Sequence, residues 1–376
     1  MKNSACSENS TQGLSFDSES ERARSFAFAL DELVKETERE MGPHDVDHLR
    51  NLKAISNLLE ITGRGLILFS FEPFSFGVGV FTLAAHKSLE LMEIGHTVLH
   101  GAYDKLTSKN DFQSKTFRWK APIDEDSWRR AHNILHHRYT NIAGKDPDLD
   151  FGFLRLSPRI PHRVFHRLQP WSNLATWSIF GLAIGLHVSG MIAVYWPSST
   201  TERDNPRTPT RLIEAHRRFL RKTIPYYTKE FLFYPVLAGP FFGKVWFGNL
   251  LSEWIRDLYA ASIIYCGHVG AEDSEADTRF HSRAEYYVEQ VRRAQNLRVH
   301  PLVSILAGGL DHQVEHHLFP HLPPHRLRAL APRVKRVCAA HDIPYRSDTF
   351  PRRITQVWCT LAALRSNKNM PAQKIH

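Results

Sequence analysis

Cysteine chemistry is nearly absent from this sequence. Cys6, Cys266, Cys338 and Cys359 are the only four in 376 residues, and none sits in a CxxC pair or a framework spacing. That excludes a disulfide-stapled scaffold and reads as reduced thiols in a cytosolic environment. An apolar leader is missing too. Residues 1 to about 24 are rich in Ser, Asn, Glu and Gly without an h-region, so they read as a disordered tail and not a secretory signal. No internal repeat is present. Nor is there a compact basic patch interleaved with aromatics, so nucleic acid is not an expected partner. The net charge of +9 is instead scattered around apolar segments, as suits the anionic surface of a membrane. A mean hydropathy of −0.34 excludes a chain that is mostly bilayer, while 42% hydrophobic residues leave material for a sizeable core.

The apolar stretches are few and imperfect. Residues 25–60 have helical spacing at Phe26, Leu30, Leu33 and Val34. Residues 61–85 are strongly apolar but interrupted by Arg64 and by Glu72-Pro73, which predicts two short helices meeting at a turn or one kinked span. Residues 174–197 are the best membrane candidate, with His187 their only readily ionisable group. Residues 231–251 are a second, weakened by Pro235, Pro240 and Lys244. A polar linker, Ser198 to Thr210, leads from the first of these to a basic helical stretch around Arg217 to Lys222. Two full crossings would put that basic linker outside, whereas the positive-inside rule puts it inside. The segments therefore either dip into the membrane or break the rule; a soluble chain with apolar core helices is the alternative.

Histidine is what the chain has in excess. There are 22, and many fall in three groups: His96 and His100; His132, His136 and His137; His312, His316 and His317. Residues four apart on a helix lie on one face roughly 6 Å apart, so paired imidazoles can converge on one ion. The next residue is turned by about 100°, so a His-His pair can serve two neighbouring ions. None of the clusters contains cysteine, which disfavours iron–sulfur and structural zinc. A hydrolytic zinc site needs only three ligands, and soluble di-iron proteins use repeated Glu-x-x-His motifs, of which Glu93 and His96 form one without a counterpart before His132. Two iron ions with mainly imidazole ligands fit best. Glu315, Asp146, Asp148 and Asp150 are candidates to hold the outer N–H of a ligand ring.

The segments RRAHNILHHRYTNIAGKDPD and GGLDHQVEHHLFPHLP, with the first box, resemble the membrane fatty-acid desaturase family from about Ile61 to Arg328. The branch is that of bacterial acyl-CoA or acyl-lipid and front-end desaturases, whose third motif begins with glutamine. The resemblance implies a further ligand, His268, before the third box. It also favours Gln313 at the position where helical spacing favours His312; Gln313 is taken as the aligned, weak or water-bridged ligand, with His312 close by. Asp257 stands where related bacterial sequences often carry Asn. No HPGG-type cytochrome b5 signature occurs, so electrons are expected from a separate ferredoxin or cytochrome with its reductase. Arg129, Arg130 and Arg138 offer such a donor a basic face.

The expected architecture is all-α: a membrane-associated helical bundle under a cytosolic, histidine-rich di-iron cap. The desaturase domain spans 25–345, followed by a C-terminal tail at 346–376. The implied reaction is O2-dependent desaturation of a fatty-acyl chain, with hydroxylation at the same irons as the alternative. The active site is expected on the cytoplasmic side of a membrane, with lipid as a partner.

Overall fold

The computed structural model describes residues 18–107, 111–149, 151–196, 208–274 and 280–366. Helix dominates, and among the described residues the only ladder is a two-stranded parallel one, Asn296–Arg298 beside Ser347–Thr349. The first helix, Glu19–Glu40, begins inside the segment expected to be a disordered tail. Ser18 caps it by accepting from the Glu21 amide, and Phe26, Leu30 and Val34 bury against the Pro324–Ala340 helix. Residues 1–17 of that tail lie outside the described residues.

The 61–85 segment resolves into the first of its two expected forms. Pro43–Phe69 and Pro73–Ser88 are antiparallel neighbours joined by a short turn, where the Glu72 carboxylate accepts from the Ser75 amide at 2.6 Å. Phe242–His268 lies alongside both helices. The 174–197 segment is different. It is divided among Gln169–Ser178, Phe180–Val188 and Met191–Tyr195, broken at Ile179 and at Gly190, whose φ of +89° is a left-handed turn. The 231–251 segment is likewise interrupted: helix runs through Pro235 to Leu237 and is broken by a 3-10 turn, Gly239–Phe241, at Pro240 before Phe242.

No helix among the described residues is long and apolar enough to cross a membrane, so the two expected spans are corrected. Charge is the reason in the long helices. Arg64, Lys87, Glu230, Glu253 and Arg256 form a buried ionic chain between them, with Arg64 2.8 Å and Lys87 2.7 Å from the Glu230 carboxylate. These pairs face inward, while large apolar side chains at the helix ends face out: Phe71 is 94% and Phe74 79% exposed.

The C-terminal tail is also corrected. Ser347–Thr349 completes the parallel ladder, and Phe350–Ala363 inserts Val357 and Leu361 fully into the main core. Ile354, Val357, Trp358 and Leu361 form one apolar stripe at helical spacing, which a solvated tail would not need. Residues 367–376 lie outside the described residues.

Candidate metal centre

Both leading histidine boxes sit on helices that widen into π-helix. Pro73–Ser88 runs on into π-helical Leu89–His96, and Glu125–Trp128 into π-helical Arg129–His136. Such bulges occur mostly at functional sites, because the wider turn re-aims side chains. Here it brings residues four apart closer to eclipse: the His132 and His136 rings stack at 5.0 Å with 17° between planes. The third box lies on the short Gln313–Leu318 helix, and His268 ends the Phe242–His268 helix.

These elements bring nine of the ten expected side chains together. His96, His100, His132 and His316 offer ligand atoms that all lie within 4.8 Å of one another, as do His136, His268 and His317. Gln313 joins the second group, its amide 2.6 Å from His268 Nε2 and 3.2 Å from His317 Nε2. His137 lies between the groups, with ring centroids 4.8 Å from His316 and 4.5 Å from His317.

His312 is the exception. It sits beside Asp311, Nε2 to carboxylate 3.5 Å, on a short 3-10 turn, and is absent from both groups. The turn of Leu310–His312 interrupts the helix, so the four-residue spacing from His312 to His316 does not place them on one face. Gln313 is the first residue of the helix proper and shares the His317 face.

Burial makes the site's imidazoles neutral. It pushes His96 and His268 down to about 3 and holds His100, His132, His137, His316 and His317 well below the usual histidine range. His136 is the contrast: burial opposes its charge, but Asp146 and Asp148 outweigh burial and raise it to about 9. The Asp146 carboxylate is 3.0 Å from His136 Nδ1 and also accepts from the Asn141 and Asp148 amides. Asp148 lies 3.4 Å from the same Nδ1. Both acids thus stand where an outer partner was expected. Glu315 does not: its carboxylate takes hydrogen bonds from Asn296 and Tyr345 instead. Asp150 lies outside the described residues.

A metal fits this donor set on the chemistry of its unpartnered atoms. The Nε2 atoms of His132, His136 and His316, both ring nitrogens of His137, and Gln313 Oε1 are buried without a hydrogen-bond partner. One unsatisfied buried polar group costs about 1–3 kcal/mol, and a bound cation would satisfy several of these lone pairs at once. Turning the Gln313 amide by half a rotation would add its oxygen to the lone pairs of His268 and His317, a set of three donors of the kind a cation takes.

Sequence reasoning missed the supporting shell. Trp128 stacks on His132 at 4.5 Å and meets His96 and His100 edge-on. It stands within the second motif, so it was open to notice. Gln290 and Thr140 meet His317 from outside any histidine box, Gln290 from a segment without a motif.

Comparison with known proteins places this geometry in context. A family model described as fatty acid desaturase matches residues 73–349. The NADPH-dependent stearoyl-CoA 9-desaturase of Mycobacterium tuberculosis is 30% identical over 350 residues, covering 90% of this chain and 79% of that protein. The sn-1 linoleoyl-lipid 6-desaturase of Arthrospira platensis is 26% identical over 280 residues, 71% of this chain and 72% of that one.

Proposed function

Because the chain belongs to the fatty acid desaturase family, we propose that it forms a double bond in a fatty-acyl chain at a pair of iron ions, using O2 and electrons from a separate donor protein. The observation that carries this reading is the meeting of two imidazole groups, with His137 between them and no cysteine among them. His96, His100, His132 and His316 would hold one ion; His136, His268, His317 and Gln313 would hold the other. When bound, the iron pair supplies O2 activation and removal of hydrogen from unactivated methylenes, for which no side chain is reactive enough.

The overall exchange is balanced. Two hydrogens leave adjacent carbons, and with two donor electrons and two protons they reduce one O2 to two waters. The chain's own residues prepare the site. Burial favours the proton-free form of every ligand imidazole but His136, Asp146 holds the outer nitrogen of His136, and Trp128 stacks on His132. Relatives with acyl-CoA and acyl-lipid substrates are both desaturases by name, which favours loss of a second hydrogen over hydroxylation.

The donor's face lies on the outside of the second-box helix, where Arg130 and Arg138 are exposed on either side of Ile134. Arg129 instead bonds to the Ser114 carbonyl and to Asp126. This basic face would suit a ferredoxin or a cytochrome with its reductase that presents an acidic surface.

Lipid association follows from the exposed aromatic ends of the long helices, a patch of the kind that marks an interaction site. Replacing Phe71 and Phe74 together with Asp is expected to lower sedimentation with anionic vesicles about tenfold or more, since each removes a buried aromatic contact worth about 1.5–3 kcal/mol. Unchanged vesicle binding would remove this surface from the account.

Expression in a host of known lipid composition, followed by fatty-acid profiling, tests the function. A new acyl product lighter by two hydrogens is expected. A product heavier by one oxygen would refute desaturation.

A further inference from the structure

The two ligand groups differ in what stands behind them. Behind the second, the Asp146 carboxylate is 3.0 and 3.1 Å from His136 Nδ1. Gln290 Oε1 is 3.1 Å from His317 Nδ1, and Thr140 Oγ1 also lies 3.1 Å from it. Among the described residues, no side-chain carboxylate or amide stands within hydrogen-bond distance of the outer nitrogens of His96, His100, His132 or His316; His96 has only the Met92 backbone behind it, and the nearest carboxylate, Asp148, is 4.0 Å from His132.

The orientation of Gln290 is fixed by its surroundings. Its Nε2 donates to the His137 carbonyl at 3.0 Å, and a carbonyl can only accept. The amide oxygen must therefore face His317. An oxygen there accepts, so His317 carries its proton on Nδ1 and turns the Nε2 lone pair toward His268 and Gln313. Thr140 completes the arrangement by donating to the His136 carbonyl at 2.8 Å. Gln290 is wholly buried on the Arg283–Arg293 helix, which also holds the second box's end through Tyr286 and the Arg293–Thr140 contact.

We propose that the two metal positions are inequivalent, and that Gln290 and Asp146 are positioning residues for the His136/His268/Gln313/His317 position alone. This rests on the two-ion reading above. Outer partners of this kind are worth about 10–100-fold in metal affinity. Removing either one weakens a single ion and leaves the other in place.

The test is titration of the apoprotein with ⁵⁷Fe(II) under anaerobic conditions, read by bound iron and by Mössbauer spectroscopy. Wild type is expected to bind two equivalents as two distinct quadrupole doublets of equal area. Gln290→Leu and Asp146→Leu, which leave no acceptor, are each expected to lose one doublet first, with affinity for that ion down roughly 10–100-fold. Gln290→Glu, which keeps an acceptor toward His317, is expected to retain both. If wild type binds two irons but the variants lose both together, lose neither, or show one doublet throughout, the inequivalence is overturned. If wild type binds fewer than two, the two-ion reading falls with it.

Discussion

Replacing His136 with alanine is expected to abolish double-bond formation, while His312→Ala leaves it within a few-fold of wild type. His136 is fully buried, its Nε2 has no partner, and its Nδ1 is held by Asp146. Losing it removes a ligand and leaves the Asp146 carboxylate buried beside an empty space, so the fall should exceed the roughly 10–100-fold produced by losing an outer partner. His312 bears an equally conspicuous position in the sequence but sits beside Asp311, outside both ligand groups. Fatty-acid profiles of cells carrying each variant check the pair, with iron content measured alongside. Loss of both iron and product in His312→Ala would contradict the assignment of the third box.

Gly95→Ala is expected to destabilise the fold by about 2–4 kcal/mol, the sum of overpacking and a lost buried hydrogen bond. A Cβ at Gly95 would lie 1.9 Å from Trp119 Nε1 and 2.7 Å from the Glu90 carbonyl. Trp119 is 4% exposed and donates to that same carbonyl at 2.9 Å, so it has nowhere to retreat. Its ring meets Trp128 at 5.3 Å, and Trp128 stacks on His132. The methyl group therefore disturbs two histidine boxes through one tryptophan pair. Thermal unfolding and iron content should fall together; a variant with unchanged stability and full iron would show that the π-helical first box tolerates displacement.

The histidine clusters were legible because histidine is ordinarily rare enough that three close groups stand out, and because one imidazole pair per helix face is simple geometry. Asp146 was legible for the same reason, as an acid close in sequence to a box. His268 needed the family resemblance, being one histidine by itself at the end of a long helix. The choice between His312 and Gln313 turned on where a helix begins, and the 3-10 turn at Leu310–His312 is set by the surrounding packing. Gln290 was invisible: it lies 27 residues from His317 and 150 from Thr140, and only the folded chain brings the three together.

The apolar segments were misread in an instructive way. The 174–197 stretch is apolar because it packs over the main core in short helices, with Trp177 and Phe180 buried there, and its break at Gly190 carries no warning in a hydropathy window. The C-terminal segment failed in the opposite sense. It was expected as a tail, yet Arg353 is buried and donates to the Cys266 carbonyl at 2.9 Å. A charged residue with backbone acceptors waiting for it is a core residue.

The proposed reaction is conversion of an acyl chain and O2 to an alkene and water at two irons that these histidines would hold. Oxygen uptake by iron-loaded protein, measured against double bonds formed with a chemical reductant and an acyl substrate, tests it most directly. The account predicts substrate-dependent uptake, product two hydrogens lighter, and no activity in metal-free or zinc-loaded protein. Oxygen use that ignores the substrate, or a zinc-loaded protein that is fully active, would contradict it.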